Sequence, residues 1–314
     1  MKVKTFKQDH LLGIEQLSVE DIELILETAE SFVEISTRDI KKVPALKGKT
    51  VVNLFCEDST RTRSSFEIAA KRLSADLINF SALSSSLTKG ESLKDTVLTL
   101  EAMNPHIIVL RHSSSGAAKY LTTFARSSII NAGDGFHEHP TQALLDALTM
   151  KQRFKTLRNL KISIVGDMLH SRVARSNILL HHKLGNDISL IGPPSLVPDE
   201  FEEMGTKIYY DLKEGIKGSD VVMMLRVQKE RGARNYFPSI REYRKFFEIN
   251  EEIFSYAKKT AILMHPGPMN RDVEIETSLA DSEKSVILQQ VTNGIAVRMA
   301  VLYLLKGEID EVVD

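Results

Sequence analysis

Thr50-Val51-Val52-Asn53-Leu54-Phe55 is followed, three residues later, by Ser59-Thr60-Arg61-Thr62-Arg63 and then by Phe66, Ala69, Ala70 and Leu73. The first stretch is a short apolar run with the composition of a buried strand, and the last four residues share one face of a helix. A strand that empties into a helix N-terminus presents unpaired backbone N–H groups and a partial positive charge, a ready site for a phosphate. The turn adds hydroxyls from Ser59, Thr60 and Thr62 and guanidinium groups from Arg61 and Arg63, which donate to phosphate oxygens. Neither of the familiar glycine-rich nucleotide loops occurs nearby. An N-capped helix with solvated arginines is the plainer explanation. Basic side chains oppose the helix dipole at that end, however, so something anionic is expected to offset them.

The same alternation of short apolar runs and longer amphipathic segments continues along the chain, which predicts an α/β protein with parallel sheets. Strands are expected at 50–55, 77–80, 106–110 and 129–130, and again at 161–165, 188–191, 208–209, 221–225 and 261–264. Helical periodicity covers Leu11–Phe32, Pro140–Phe154 and Gln289–Leu305. Thr156-Leu157-Arg158-Asn159 resembles a turn into a second sheet. The expected division is 1–152, completed by a closing helix at 289–314, and 153–288. Terminal helices that pack together would join the halves. The polar stretch Val227–Tyr236 reads as a loop of the kind that closes over ligands.

At 314 residues the chain suits two domains, and with 42% hydrophobic and 26% charged residues a sizeable core is expected. The 41 basic and 42 acidic side chains give a formal net charge of −1. No global attraction to nucleic acid or membrane follows, and any anion site must be built locally. Cys56 is the only cysteine, which excludes an intrachain disulfide and a cysteine-rich zinc site and fits a reducing, cytoplasmic setting. No apolar stretch approaches the ~20 residues of a membrane span, and the N-terminus lacks a signal-peptide core.

Polar residues recur where parallel strands have just ended, the place at which open α/β sheets bind ligands. Arg111 follows Leu110, His139-Pro140-Thr141-Gln142 follows the strand at 129–130, and Gly166-Asp167 and Arg172 follow Val165. Arg226 and Gln228 follow Leu225, and His265-Pro266-Gly267-Pro268 follows Met264. His139, just before a proline suited to the first helical position, can polarise a carbonyl, with Gln142 one turn on. A histidine that caps its own helix is the alternative. His137 and His139 beside Glu138 make a poor metal site, His181 and His182 read as surface or packing residues, and Cys56 reads as a small buried hydrophobe. Lys89-Gly90-Glu91-Ser92 follows the run Ser84-Ser85-Ser86; the pair reads as a flexible loop whose lysine can also reach an interface as a movable cation. A phosphate ester or acyl phosphate carries about −1.5 to −2 charges, which Arg61, Arg111 and Lys89 can match. Arg172, Arg226 and Arg271 remain, suggesting a second ligand with more than one carboxylate. With no side-chain nucleophile beside its own base, direct transfer between two bound substrates is the simplest chemistry.

Jointly, Ser-Thr-Arg-Thr-Arg, Lys-Gly-Glu-Ser, Leu-Arg-His, His-Pro-Thr-Gln, Arg-Val-Gln and His-Pro-Gly-Pro resemble, in order and over nearly the whole chain, the aspartate carbamoyltransferase family. The resemblance implies two Rossmann-like parallel-sheet domains bridged by terminal helices, the first binding carbamoyl phosphate and the second aspartate. It implies that Ser59, Thr60, Arg61 and Thr62 bind the phosphate, that Arg111, His139 and Gln142 are its other ligands, and that Thr62, Arg111 and His139 lie near the carbamoyl oxygen. It further implies that Arg172, Arg226 and Gln228 bind aspartate, that Gly267 and Pro268 approach the substrates through backbone, and that Lys89, with Ser85 or Ser86, comes from a neighbouring subunit of a homotrimer with shared active sites. The implied reaction is attack of the aspartate α-amine on the carbamoyl carbon, giving N-carbamoyl-L-aspartate for pyrimidine synthesis, with no covalent enzyme intermediate, metal or cofactor. Some relatives pair with a regulatory chain or with dihydroorotase, though nothing in this sequence identifies such a partner. Asp272 stands where the resemblance implies a small residue, which leaves the role of Arg271 open.

Two other functions compete. Ornithine carbamoyltransferase would show His-Pro-Cys-Gln and a His-Cys-Leu-Pro segment, where this chain has Thr141 and Pro266-Gly267. A non-catalytic scaffold or ligand sensor would bind carbamoyl phosphate without turnover.

Overall fold

The computed structural model describes residues 6–81, 91–227 and 239–307. Two compact units emerge, one of residues 1–148 and 292–314 and the other of residues 149–291. In the first, α1 (Val19–Thr37) precedes β1 (Thr50–Phe55), α2 (Thr60–Arg72), β2 (Asp76–Ser81), α3 (Leu93–Glu101), β3 (Ile107–His112), α4 (Ala117–Leu121) and β4 (Ser128–Asp134). The chain leaves this unit within α5 (Pro140–Phe154). The second holds β5 (Lys161–Val165), α6 (Arg172–Lys183), β6 (Asp187–Ile191), β7 (Lys207–Tyr209), α7 (Leu212–Ile216) and β8 (Val221–Met224). It continues through α8 (Ile240–Phe247), α9 (Glu251–Phe254), β9 (Ile262–Met264) and α10 (Thr277–Ala280), and the chain returns within α11 (Ile287–Lys306).

All named strand pairs are parallel, in the orders β2-β1-β3-β4 and β7-β6-β5-β8-β9. Helices cover both faces of the second sheet, and its strands are apolar on both sides accordingly. Val165, Ile191, Val222 and Met224 join one core cluster, whereas Ile162, Ile164, Leu190, Val221 and Met223 join another. That division follows the period-two alternation of a strand. Ser163 is the polar exception on β5; its hydroxyl donates to the Gly215 carbonyl (2.9 Å) or shares a hydrogen bond with Ser219 Oγ (2.7 Å). In the first unit Val52, Leu54, Ile108, Leu110 and Ile129 pack with residues of α3 and α4.

The nine strands of the described residues fall where the sequence places them, but the N-terminal helix does not. Leu11, Ile14 and Leu17 are buried at a spacing that mimics a helix, yet Leu11 pairs beside β4. Its amide donates to Ile129 O, and its carbonyl accepts from Asn131 N, both at 2.8 Å. The helix starts only after Ser18, where a capping box with Asp21 satisfies the first-turn amides. Phe32 of α1 meets Tyr303 of α11 edge-on at 5.9 Å, so the terminal helices do pack together within the first unit. Cys56 is half-buried beside the first sheet's core, and burial raises its thiol pKa to about 11.

His181 on α6 is a packing residue, whereas His182 is exposed. The His181 Nδ1 faces Asn186 Nδ2 at 3.0 Å, and Asn186 in turn accepts from Leu160 N and donates to Leu157 O at the entrance to β5. Burial pushes the His181 pKa down from 6.5 to about 3. A depressed folded-state pKa means the unfolded chain takes up a proton first as pH falls, so stability declines between pH 6.5 and about 3. The slope from this residue is at most ~1.4 kcal/mol per pH unit. Urea denaturation at pH 7 and pH 5 is expected to show a smaller loss of stability for His181→Gln than for the parent, by about 2 kcal/mol. Equal losses in the two proteins would contradict the assignment.

Candidate active site

In the first sheet strand order reverses between β1 and β3, and the Ser59–Arg63 turn and Arg111 lie at the carboxyl ends of those strands. Ser59, the residue before α2, is extended (φ −159°, ψ 84°), and its side chain makes no capping hydrogen bond. Ser59 therefore does not cap its own helix. No acidic residue lies in that first turn. Thr62 is buried, while Thr60 and Arg61 reach the surface.

Arg111 sits where the β3–β4 register shifts, a bulge that re-aims a side chain. Its Nε donates to Glu57 Oε1 at 2.8 Å and its Nη1 to the Ala132 carbonyl at 3.0 Å. Cys56 N also donates to the Arg111 carbonyl (2.8 Å), which ties the phosphate-type turn to β3. Glu57 went unnoticed in the sequence, where only its place just before a basic turn marks it. His139 is buried against the start of α5, and its carbonyl accepts from Gln142 N at 2.9 Å. Gln142 is buried too and spends one amide N–H on Asp146 Oδ1 at 3.0 Å, fixing the plane of its amide. His137 pairs instead with Asp134. Among the described residues no group of three or more His, Cys, Asp and Glu side chains could hold a metal ion.

The second sheet repeats the device, reversing between β5 and β8. Gly166 ends β5 at φ +129°, and a Cβ there would lie 3.1 Å from Leu225 Cβ, so glycine lets the two strand ends close up. Arg172 opens α6 behind Ser171, whose hydroxyl accepts from Ala174 N at 3.1 Å, and is buried. Asp167 is buried against His170, with Nδ1 at 3.0 Å; burial raises the carboxyl pKa and the histidine opposes that. Arg226 follows β8 after Leu225. The next residue, Val227, donates its N–H to Glu274 Oε1 at 3.0 Å.

Glu274 also accepts from Asn270 N (2.5 Å) and Nδ2 (2.6 Å), and lies 4.0 Å from His265 Nε2. Burial raises its pKa, and these hydrogen bonds together with the Arg226 charge pull it back. His265 Nδ1 accepts from Gly267 N at 2.8 Å, which leaves Nε2 to carry the ring proton toward Glu274. Gly267 adopts φ +65° before a cis Gly267–Pro268 bond. Tyr243 of α8 is buried with Glu274 and Asp167 near enough to raise its hydroxyl pKa, after burial itself. Glu274 and Tyr243 were also missed in the sequence, since nothing local marks them.

Arg271 is drawn elsewhere: its guanidinium pairs with Asp281 at 2.8 and 2.7 Å on the surface. Asp272 has φ +57°, a conformation Asp tolerates better than most residues, and its carboxylate accepts from Thr277 N at 2.9 Å. Lys89, Ser85, Ser86 and Gln228 lie outside the described residues, as does all of the expected loop beyond Val227.

Residues 9–152 match the family model for the carbamoyl-P binding domain of aspartate/ornithine carbamoyltransferase, and residues 158–305 match that for its Asp/Orn binding domain. The aspartate carbamoyltransferase catalytic subunit of Syntrophus aciditrophicus (strain SB) is 57% identical over 302 residues, covering 96% of this chain and 98% of that protein. A crystal structure of aspartate transcarbamoylase from Trypanosoma cruzi in complex with carbamoyl phosphate and aspartate has a TM-score of 0.85 at 30% identity, covering 96% of this chain and 97% of that one. Ornithine carbamoyltransferase from Pyrococcus furiosus has a TM-score of 0.84, also at 30% identity, over 96% of this chain and 98% of its own. The chain belongs to the aspartate/ornithine carbamoyltransferase family.

Proposed function

We propose that the protein transfers the carbamoyl group of carbamoyl phosphate to the α-amine of L-aspartate, releasing N-carbamoyl-L-aspartate and phosphate. The observation that carries this choice is the pair of arginines at the second switch point, Arg172 after β5 and Arg226 after β8. Two cations suit the two carboxylates of aspartate and oppose the side-chain ammonium of ornithine. The aspartate carbamoyltransferase identity of the Syntrophus relative and the ligands of the Trypanosoma structure support the same reading.

The first unit takes carbamoyl phosphate and the second aspartate. Ser59, Thr60, Arg61 and Thr62 hold the phosphate with the α2 amides, and Gln142 with His139 and Arg111 complete that ligand set. Arg172, Arg226 and Gln228 hold aspartate, with Gly267 and Pro268 meeting the substrates through their backbone. The amine nitrogen attacks the carbamoyl carbon to form a C–N bond. Thr62, Arg111 and His139 stabilise the oxyanion of the tetrahedral intermediate, where preorganised donors act most strongly. The C–O bond to phosphate then breaks, and the departing phosphate accepts the amine proton, so no side-chain base is required. Holding the amine against the carbon supplies much of the remaining acceleration.

Lys89 and Ser85 or Ser86 complete the site from a neighbouring subunit of a homotrimer, and the enzyme works in the cytoplasm for pyrimidine synthesis. No helix among the described residues is long and apolar enough to cross a membrane. A regulatory chain or dihydroorotase is a candidate for higher assembly.

Carbamoyl transfer by the purified chain, offered carbamoyl phosphate with either L-aspartate or L-ornithine, is expected to give carbamoyl aspartate and no citrulline; citrulline would overturn the reading of Arg172 and Arg226. Arg61→Ala is expected to raise the KM for carbamoyl phosphate at least about tenfold, the scale of a lost charged hydrogen bond. Arg226→Ala should instead raise the KM for aspartate by a similar factor and leave carbamoyl phosphate binding largely intact. Steady-state kinetics with each substrate varied separates the two. Inactive Lys89→Ala and Arg61→Ala chains, mixed and reassembled, should regain activity at about one site in three of each mixed trimer, as a heterologous ring requires. Verified mixed trimers without recovery would remove Lys89 from the neighbour's site.

A further inference from the structure

Arg298 lies on α11 and is almost wholly inaccessible, at 4% exposure. Its Nη1 donates to Ser65 Oγ at 2.9 Å and to the Gly294 carbonyl at 3.0 Å, and its guanidinium carbon stands 5.1 Å from the Phe66 ring centroid. Gly294 makes the room for this, since a Cβ there would come within 2.6 Å of Nη1. Burial lowers the arginine's pKa to about 10, and the buried Asp146 carboxylate opposes that shift, so the side chain stays cationic at neutral pH. The same carboxylate accepts from Gln142 Nε2 at 3.0 Å.

Its contacts outside α11 fall on α2, and Asp146, whose charge acts on it, stands on α5; the N-termini of these two helices carry the proposed ligand set of the first unit. Ser65 and Phe66 stand three and four residues beyond Thr62 on α2, one turn in from the phosphate-type turn. Gln142 and Asp146 stand one turn apart on α5, directly after His139. Taking a guanidinium and a carboxylate out of water is costly, and well-packed apolar residues would serve stability as well or better. A buried cation that touches α2 and is charge-balanced from α5 fits geometry instead: planar, multiply bonded and stiff, it holds two helix ends in register.

We propose that Arg298 is a positioning residue of the carbamoyl phosphate site, setting the spacing between the α2 turn and Gln142 through Ser65 on one side and Asp146 on the other. The inference rests on reading Ser59–Thr62 and Gln142 as carbamoyl phosphate ligands. It extends that site from residues that touch the substrate to one that does not.

The test is calorimetric titration of the intact protein with carbamoyl phosphate and with inorganic phosphate, in the absence of aspartate, beside steady-state kinetics and thermal unfolding. The variants are Arg298→Lys, Ser65→Ala and Asp146→Asn, with Arg61→Ala and Gln142→Ala as references. Ser65→Ala and Asp146→Asn are expected to weaken both ligands by roughly tenfold, as one lost hydrogen bond to a charged group does. Arg298→Lys, which keeps the charge and loses the planar fork, is expected to match them, with kcat at saturating carbamoyl phosphate within about threefold of the parent, since no catalytic group is removed. Folded variants that bind both ligands as the parent does, while the two references fail to, would overturn the proposal and mark Arg298 as structural. If Arg61→Ala and Gln142→Ala also bind normally, the ligand site itself has been misplaced and the proposal falls with it.

Discussion

When the strand order of a parallel sheet reverses between two neighbours, the helices that follow them leave toward opposite faces, and a crevice opens at their carboxyl ends. This protein has that reversal twice, between β1 and β3 and between β5 and β8. In the first crevice the α2 turn comes from β1 and Arg111 from β3. In the second Arg172 comes from beyond β5 and Arg226 from β8. Each proposed ligand set is therefore split across strands that are adjacent in space and distant in sequence. Short cross-links keep the strand ends aligned, Cys56 N to Arg111 O in one sheet and Leu225 N to Val165 O in the other, both at 2.8 Å.

Carboxylates outside the proposed ligand sets hold the cations in place. Glu57 fixes Arg111, Asp146 balances Arg298, and Glu274 anchors the backbone beside Arg226 while its charge acts on that arginine. These acids are buried or half-buried, where an unpaired charge is expensive, so each cation and its acid depend on one another. The contrast is Arg271, whose partner Asp281 lies on the surface and whose pair contributes little to stability. Burial of the pair, more than its geometry, separates the arginines that shape a crevice from one that decorates a loop.

The strands were legible because a parallel strand buried on both faces leaves a short apolar run that little else imitates. The phosphate-type turn was legible because its donors are contiguous, Ser59 through Arg63. The start of α1 was misread because Leu11, Ile14 and Leu17 are buried at helical spacing for a different reason: Leu11 lies along β4, and Ile14 to Leu17 close a turn before the helix. The capping sequence Ser18-Val19-Glu20-Asp21 was the better guide to that boundary. Glu57, Asp146, Glu274, Tyr243 and Arg298 were not legible as parts of a site. Each has meaning only through a partner far away in sequence, as with Arg298 and Ser65, 233 positions apart. Asp272 was noticed as an oddity; its positive φ and its bond to Thr277 show what the position demands and how this chain meets it.

Architecture alone does not choose the second substrate. The aspartate transcarbamoylase of Trypanosoma cruzi and the ornithine carbamoyltransferase of Pyrococcus furiosus fit this chain almost equally, with TM-scores of 0.85 and 0.84 and 30% identity each. Both use a backbone that supplies the same crevices, so discrimination has to reside in the side chains lining them. A dicarboxylate and an amino acid with a terminal ammonium differ by two charges at one end, and in a crevice of low dielectric that difference outweighs any gain from shape. Arg172 is buried at the N-terminus of α6, where the helix adds its own positive end to the guanidinium. An ammonium brought there would meet two positive sources and lose its hydration, whereas a carboxylate would be stabilised by both. On the proposed reading, the choice between aspartate and ornithine lies in the pair Arg172 and Arg226, on a scaffold indifferent to either.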